Sequence, residues 1–68
     1  MIYDESHGSP YDRGSADAYY RRSRMPHYYP NGSYNGDPIT NLTSNQLEAY
    51  TAGYKDQVAS GDFKDFGE

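Results

Sequence analysis

Polar residues dominate the chain, no long apolar run interrupts them, and in two stretches the apolar positions recur at helical rather than strand spacing. In the first, Tyr11, Gly14, Ser15, Ala18 and Arg22 fall three and four positions apart, with Tyr19 flanking them, which places them on one helix face. Ser9 suits the N-cap and Pro10 the first helical position, while Asp12 stands where its carboxylate can reach back to the cap amide. The spacing predicts a helix over about 10–24, with its regular turns from Pro10 to Arg22. Met25-Pro26 ends it, because the residue before a proline avoids the helical region. In the second stretch Leu47, Tyr50, Tyr54 and Val58 form the apolar face, with Ala49 and Phe63 at its margins. Thr43 and Gln46 have the spacing of a capping box, Leu42 and Leu47 that of a hydrophobic staple, and Gly61 a C-terminal stop, so a helix over 44–60 is predicted.

Between the helices, Pro30-Asn31-Gly32, Asn35-Gly36 and Asp37-Pro38 are turn formers interleaved with Tyr28, Tyr29 and Tyr34. They predict either a short hairpin about Asn31-Gly32 or Asn35-Gly36, or an ordered loop whose tyrosines cover the helices. Residues 1–8 show no periodicity and read as a flexible arm ahead of one small domain over 9–68. The acidic tail from Asp62 to Glu68 carries Phe63 and Phe66, which are expected to return to the core; the alternative is a short partner-binding motif. The fold class expected is mainly α: two short helices packed as a pair, joined by a Tyr/Pro/Gly-rich loop or small hairpin.

One repeat sharpens this picture. Tyr11-Asp-Arg-Gly14-Ser-Ala-Asp17 and Tyr50-Thr-Ala-Gly53-Tyr-Lys-Asp56 share the pattern Y-x-x-G-x-x-D. A glycine inside a helix costs ~1 kcal/mol against alanine, so two at matching positions imply that each removes a side chain where the other helix crosses.

Composition narrows the function. At 68 residues there is room for one domain and a thin core, which argues against a deep catalytic pocket. The chain contains no cysteine, hence no disulfide, thiolate metal site or thiol nucleophile. It also contains no G-x-S-x-G elbow and no phosphate-binding glycine loop. His7 and His27 lie on opposite sides of the first helix without a metal-site spacing and are expected to be solvent-exposed. No enzyme, cofactor or metal is therefore expected. No stretch has the length of a membrane span, so a cytoplasmic protein is expected.

Surface chemistry remains. Arg13, Arg21, Arg22 and Arg24 lie close in sequence to Tyr19, Tyr20, Tyr28 and Tyr29, and arginine with aromatic rings suits phosphate pairing and base stacking. Pairing within the chain, with Glu48, Asp56, Asp62 or Asp65, is the competing expectation. Nine tyrosines exceed what so small a core can hide, and tyrosine is a preferred interface residue. The candidate partner-binding residues are Tyr19, Tyr20, Arg21, Arg22, Arg24, Tyr28, Tyr29 and Tyr34. A candidate acidic surface comprises Asp56, Asp62, Asp65 and Glu68.

The order SPYDRGSADAYYRR, PHYYPNG, NLTSNQLEAYTAGY and GDFKDFG resembles a group of short proteins encoded by tailed bacteriophages, over about Ser9 to Gly67. The resemblance implies no established activity. The two glycine-bearing helices more faintly resemble the ribosome modulation factor family, from which the net charge of -4 departs, since a ribosome-binding protein is expected to be basic. Together these readings lead to a small non-enzymatic protein-binding module, a host-takeover or anti-defence factor that meets a host bacterial protein, with self-association as a further source of stability. One alternative is an RNA-binding or ribosome-associated factor using the arginines and tyrosines; another is a minor virion structural component.

Overall fold

Helix α1 spans Pro10–Tyr19 and helix α2 spans Ser44–Ser60, packed against one another. The structure, a computed structural model, describes residues 4–32 and 36–64, so Tyr34, Asp65, Phe66 and Glu68 lie outside the described residues.

The capping signals act as their chemistry requires. Ser9 Oγ accepts the Asp12 N–H at 3.3 Å and donates to the Asp4 carbonyl at 2.7 Å. The Asp12 carboxylate accepts the Gly8 N–H at 3.0 Å, one residue before the cap. Both arms of the Thr43–Gln46 box are present, at 3.2 and 2.9 Å, and Gly61 closes α2 in the left-handed region at φ 72°. The residues expected to form a free arm turn back instead, as far as they are described: the Ser9 N–H donates to Ser6, and the buried Gly8, at φ 89°, presents its carbonyl to the Tyr29 N–H at 2.8 Å.

Helix α1 is shorter than the spacing predicts. It stops at Tyr19, and Arg21, at φ 59°, takes the left-handed position usually given to glycine. The Arg21 N–H reaches the Ala18 carbonyl at 3.0 Å and the Arg22 N–H the Asp17 carbonyl at 2.7 Å, the two bonds of a Schellman turn. Residues 21–24 are therefore not helical, and the end comes well before Met25-Pro26.

The helices cross at their glycines. A Cβ on Gly14 would lie 2.9 Å from the Tyr50 carbonyl carbon and 3.0 Å from the Tyr54 nitrogen; one on Gly53 would lie 3.0 Å from the Tyr11 carbonyl carbon and 3.2 Å from the Ser15 nitrogen. Shifting the first set of residues by the 39-residue repeat gives the second, so the two Y-x-x-G-x-x-D halves meet in a reciprocal contact. Their polar ends are reciprocal too: the Tyr11 hydroxyl donates to Asp56 at 2.5 Å, and the Tyr50 hydroxyl donates to Asp17.

This crossing sets which faces are buried. On α1 these are Arg13, Gly14, Asp17 and Ala18; on α2 they are Ala49, Tyr50 and Gly53. Leu47 and Val58, assigned to the apolar face by their helical spacing, are 45% and 50% exposed, because backbone meets backbone at the glycines and the large aliphatic residues lie beyond that contact. In the connecting loop Tyr28 and Ile39 exchange both backbone hydrogen bonds, at 3.1 and 2.8 Å, as one isolated antiparallel bridge. A turn closes from the Gly32 N–H to the Tyr29 carbonyl at 3.3 Å, so among the described residues the connection holds one bridge rather than paired strands, while Asn35 of the second hairpin option lies outside the described residues.

Candidate functional site

The loop after α1 folds over the buried pair of Asp17 and Tyr50. Asp17 is 2% exposed and Tyr50 fully buried. Carboxylate burial is costly without partners, and three groups meet it. Tyr50 Oη donates to Asp17, Arg22 Nη1 lies 3.4 Å from Asp17 Oδ1, and His27 Nδ1 lies 3.8 Å from Asp17 Oδ2. The Met25 N–H donates to Tyr50 Oη at 3.0 Å, which anchors the loop. Burial, and then the hydrogen bond to Asp17, push the Tyr50 phenol above its ordinary value of 10.0, because the ionised ring would lose its hydration and face a carboxylate.

That shift has a consequence at high pH. The folded chain keeps the Tyr50 proton where the unfolded chain has lost it, so stability is whole below 10 and falls above it, by about 1.4 kcal/mol per pH unit. Denaturant midpoints measured on either side of 10 are expected to show this decline, and Tyr50→Phe is expected to remove it.

Arg13 was expected on the surface, yet it is 4% exposed. Its guanidinium lies over the Tyr29 ring at 5.6 Å, its Nη1 is 4.0 Å from Asp12, and its Nε donates to His27 Nε2 at 3.3 Å. Since Nε2 accepts, the His27 proton sits on Nδ1, 2.6 Å from the Met25 carbonyl. His27 is thus engaged and largely buried, at 15% side-chain exposure, rather than solvent-exposed; His7 is exposed.

The other three arginines remain on the surface, each held against a ring: Arg21 over Phe63 at 5.7 Å, Arg22 over Tyr20 at 4.8 Å and Arg24 over Tyr54 at 5.7 Å. Arg22 pairs with Asp17, in the first half of the chain, and Arg24 Nη2 contacts Thr51 Oγ1 at 3.1 Å. Phe63 returns to the body as expected, and the Lys64 N–H donates to the Tyr19 carbonyl at 2.7 Å. Asp56 and Asp62 are exposed.

Of the seven described tyrosines only Tyr20, at 39%, is exposed; Tyr11, Tyr19, Tyr28, Tyr29 and Tyr54 are half-buried. The expected array of exposed rings is therefore mostly a half-buried rim, since the rings lie under arginines or against one another, as Tyr19 and Tyr20 do edge to face at 5.0 Å.

Beside this rim lies an open groove of about 580 Å³, whose apolar parts come from Met25, Pro26, Tyr29 and Pro38 and whose polar parts come from Arg22, Arg24, His27 and Asp17. Arg22 also borders a second depression, with Arg21, Tyr54, Val58 and Phe63. Of the residues singled out by sequence, Arg22, Arg24 and Tyr29 meet at the groove; Arg21 lines the second depression, Tyr19 and Tyr20 line neither, and Tyr28 serves the bridge to Ile39. Met25, Pro26 and Pro38 read as helix and turn punctuation and were missed. The available signal was Met25 itself, an apolar residue outside either helical face and 65% exposed.

No described helix is long and apolar enough to cross a membrane. No family model, curated protein or solved structure matches the chain.

Proposed function

We propose that this chain is a small non-enzymatic binding module that receives a segment of a partner protein in the groove between residues 22–29 and 38–40. The observation that carries the reading is the groove's construction: an exposed Met25 and two prolines form an apolar trough, and Arg22 and Arg24, held on rings, edge it. An apolar centre with a polar rim rich in arginine and tyrosine is the usual composition of a protein interface. The ionisable groups beside it support binding over catalysis, because Asp17, Tyr50, His27 and Arg13 are engaged with one another or with backbone. Following the resemblance of the sequence to tailed-phage proteins, we take the partner to be a protein of an infected bacterial host, where occupying a functional surface would serve takeover or evasion of defence.

RNA binding is the second reading, favoured by the three ring-held surface arginines. Affinity capture of the tagged chain from bacterial lysate, with and without nuclease, separates the two. A protein retained in stoichiometric amount after nuclease, and lost with Met25→Glu at unchanged circular dichroism, is the expected result. Release by nuclease, together with binding that weakens steeply with salt, would replace the protein reading with the RNA one.

A further inference from the structure

Three contacts pin the segment that forms one wall of the groove: the Arg22 guanidinium lies on Asp17, the Met25 N–H donates to Tyr50, and His27 accepts from Arg13. Between these anchors Arg24 and Met25 are exposed, so both side chains are carried by a backbone that is already fixed. Two residues one turn apart on α2 then hold the Arg24 side chain. Its Nη2 donates to Thr51 Oγ1 at 3.1 Å, and its guanidinium lies over the Tyr54 ring at 5.7 Å. The other ionisable groups lining the groove are engaged with one another or with backbone: Asp17 meets Tyr50 and Arg22, while His27 accepts at Nε2 from Arg13 and meets the Met25 carbonyl with Nδ1. Arg24 differs. Among the described residues it meets no carboxylate, its partners being a hydroxyl and a ring. Residues 33–35 of the same loop contain no acidic side chain that could supply one.

We infer that the groove selects a partner segment bearing one aspartate or glutamate beside an apolar side chain, with the carboxylate on Arg24 and the apolar group over Met25, Pro26 and Pro38. The inference rests on the groove reading above and adds to it the chemistry of the occupant. A guanidinium presents five N–H donors in a fork that matches a carboxylate, and the bond to Thr51 leaves donors over. A side chain already held in place loses little freedom on binding, so more of its contact energy appears as affinity. Net charge limits how acidic the segment is. A chain at -4 repels a run of carboxylates or a phosphate backbone at long range, whereas one carboxylate among uncharged residues meets the local cation.

Selection of a displayed library of random heptapeptides on the immobilised full chain, followed by anisotropy titration of the enriched peptides made singly, tests this. The enriched peptides are expected to share one acidic and one large apolar position. Arg24→Gln is expected to weaken them about tenfold and to leave unchanged the forms in which the acid is replaced by its amide. Arg24→Glu is expected to select lysine or arginine at that position instead, with circular dichroism unaltered in both variants. Peptides that share no carboxylate yet are lost with Met25→Glu would overturn this inference and leave the groove reading standing. Peptides indifferent to Met25→Glu, or no enrichment at all, would remove both. Displacement of the peptides by a single-stranded oligouridylate would return Arg24 to RNA binding. The double variant Asp65→Asn, Glu68→Gln is expected to bind as the wild type does; a gain of about tenfold would instead assign Arg24 to the chain's own acidic tail.

Discussion

Gly14→Ala is expected to lower the thermal midpoint by more than about 10 °C, against the normal effect of this substitution in a helix. Alanine is ordinarily the more stable by about 1 kcal/mol, because glycine loses more backbone freedom on folding. Here the added methyl would meet the Tyr50 carbonyl group and the Tyr54 nitrogen, both parts of the α2 backbone that no rotamer change can move aside. The helices must separate, and the packing over Ala49 and Tyr50 loosens with them, at a cost of about 3 kcal/mol. A domain of this size holds roughly 3–5 kcal/mol in total, and each kcal/mol shifts the midpoint by about 4–8 °C. Gly53→Ala is expected to do the same through the Tyr11 carbonyl, and the double variant to cost less than the sum, since one separation relieves both clashes. Gly36 supplies the contrast: nothing lies within 4 Å of its Cβ position, so alanine there meets only the left-handed backbone penalty of about 1–2 kcal/mol. A Gly14→Ala protein that melts at or above the wild-type midpoint would show that the helices do not cross at these residues.

The features legible in the sequence were those whose physics is local or costly. Ser9, Thr43 with Gln46, and Gly61 act on amides within a few residues, so they read correctly without any knowledge of the tertiary fold. The glycine crossing was legible for a different reason: two helix-weakening residues at matching positions need a compensating contact, and close packing is the simplest one. The end of α1 was not legible. Arginine seldom takes the left-handed conformation, and Arg21 does so where the next residue places its guanidinium on Asp17 and Met25 donates to Tyr50, both long-range consequences of the fold. The buried face of α2 was misjudged in part because apolar character at helical spacing was taken as the guide to burial, whereas the glycine crossing puts Ala49 and Gly53 inside with Tyr50 and leaves Leu47 and Val58 outside.

The candidate site divides along the same line. Arg22, Arg24 and Tyr29 were found from residue type alone, since guanidinium and phenol are chemically conspicuous on a short acidic chain. The groove they border depends on where a loop without periodicity comes to rest, and that is set by the Tyr28–Ile39 bridge and by the Tyr29 bond to Gly8. Arg13 was counted with the surface arginines because isolated charges are almost never buried; as a partner in a hydrogen-bonded cluster it is.

The internal symmetry makes that cluster testable by a matched pair of substitutions. Asp17→Ala is expected to destabilise the chain by about 3 kcal/mol, because it leaves the buried Tyr50 hydroxyl without its acceptor and removes the carboxylate on which Arg22 folds back. The loop loses that tether, so the groove should lose definition as well, with increased amide exchange over residues 22–27. Asp56→Ala deletes the same chemical group from the equivalent position of the other half, yet it is expected to change stability by no more than about 0.5 kcal/mol, since its bond with Tyr11 is exposed and the hydroxyl left behind can turn to water. Urea midpoints for the two variants measure the difference directly. Equal losses would mean that the covering loop adds nothing to the Asp17–Tyr50 bond. A larger loss for Asp56 would reverse the assignment of which Tyr–Asp pair carries the structure.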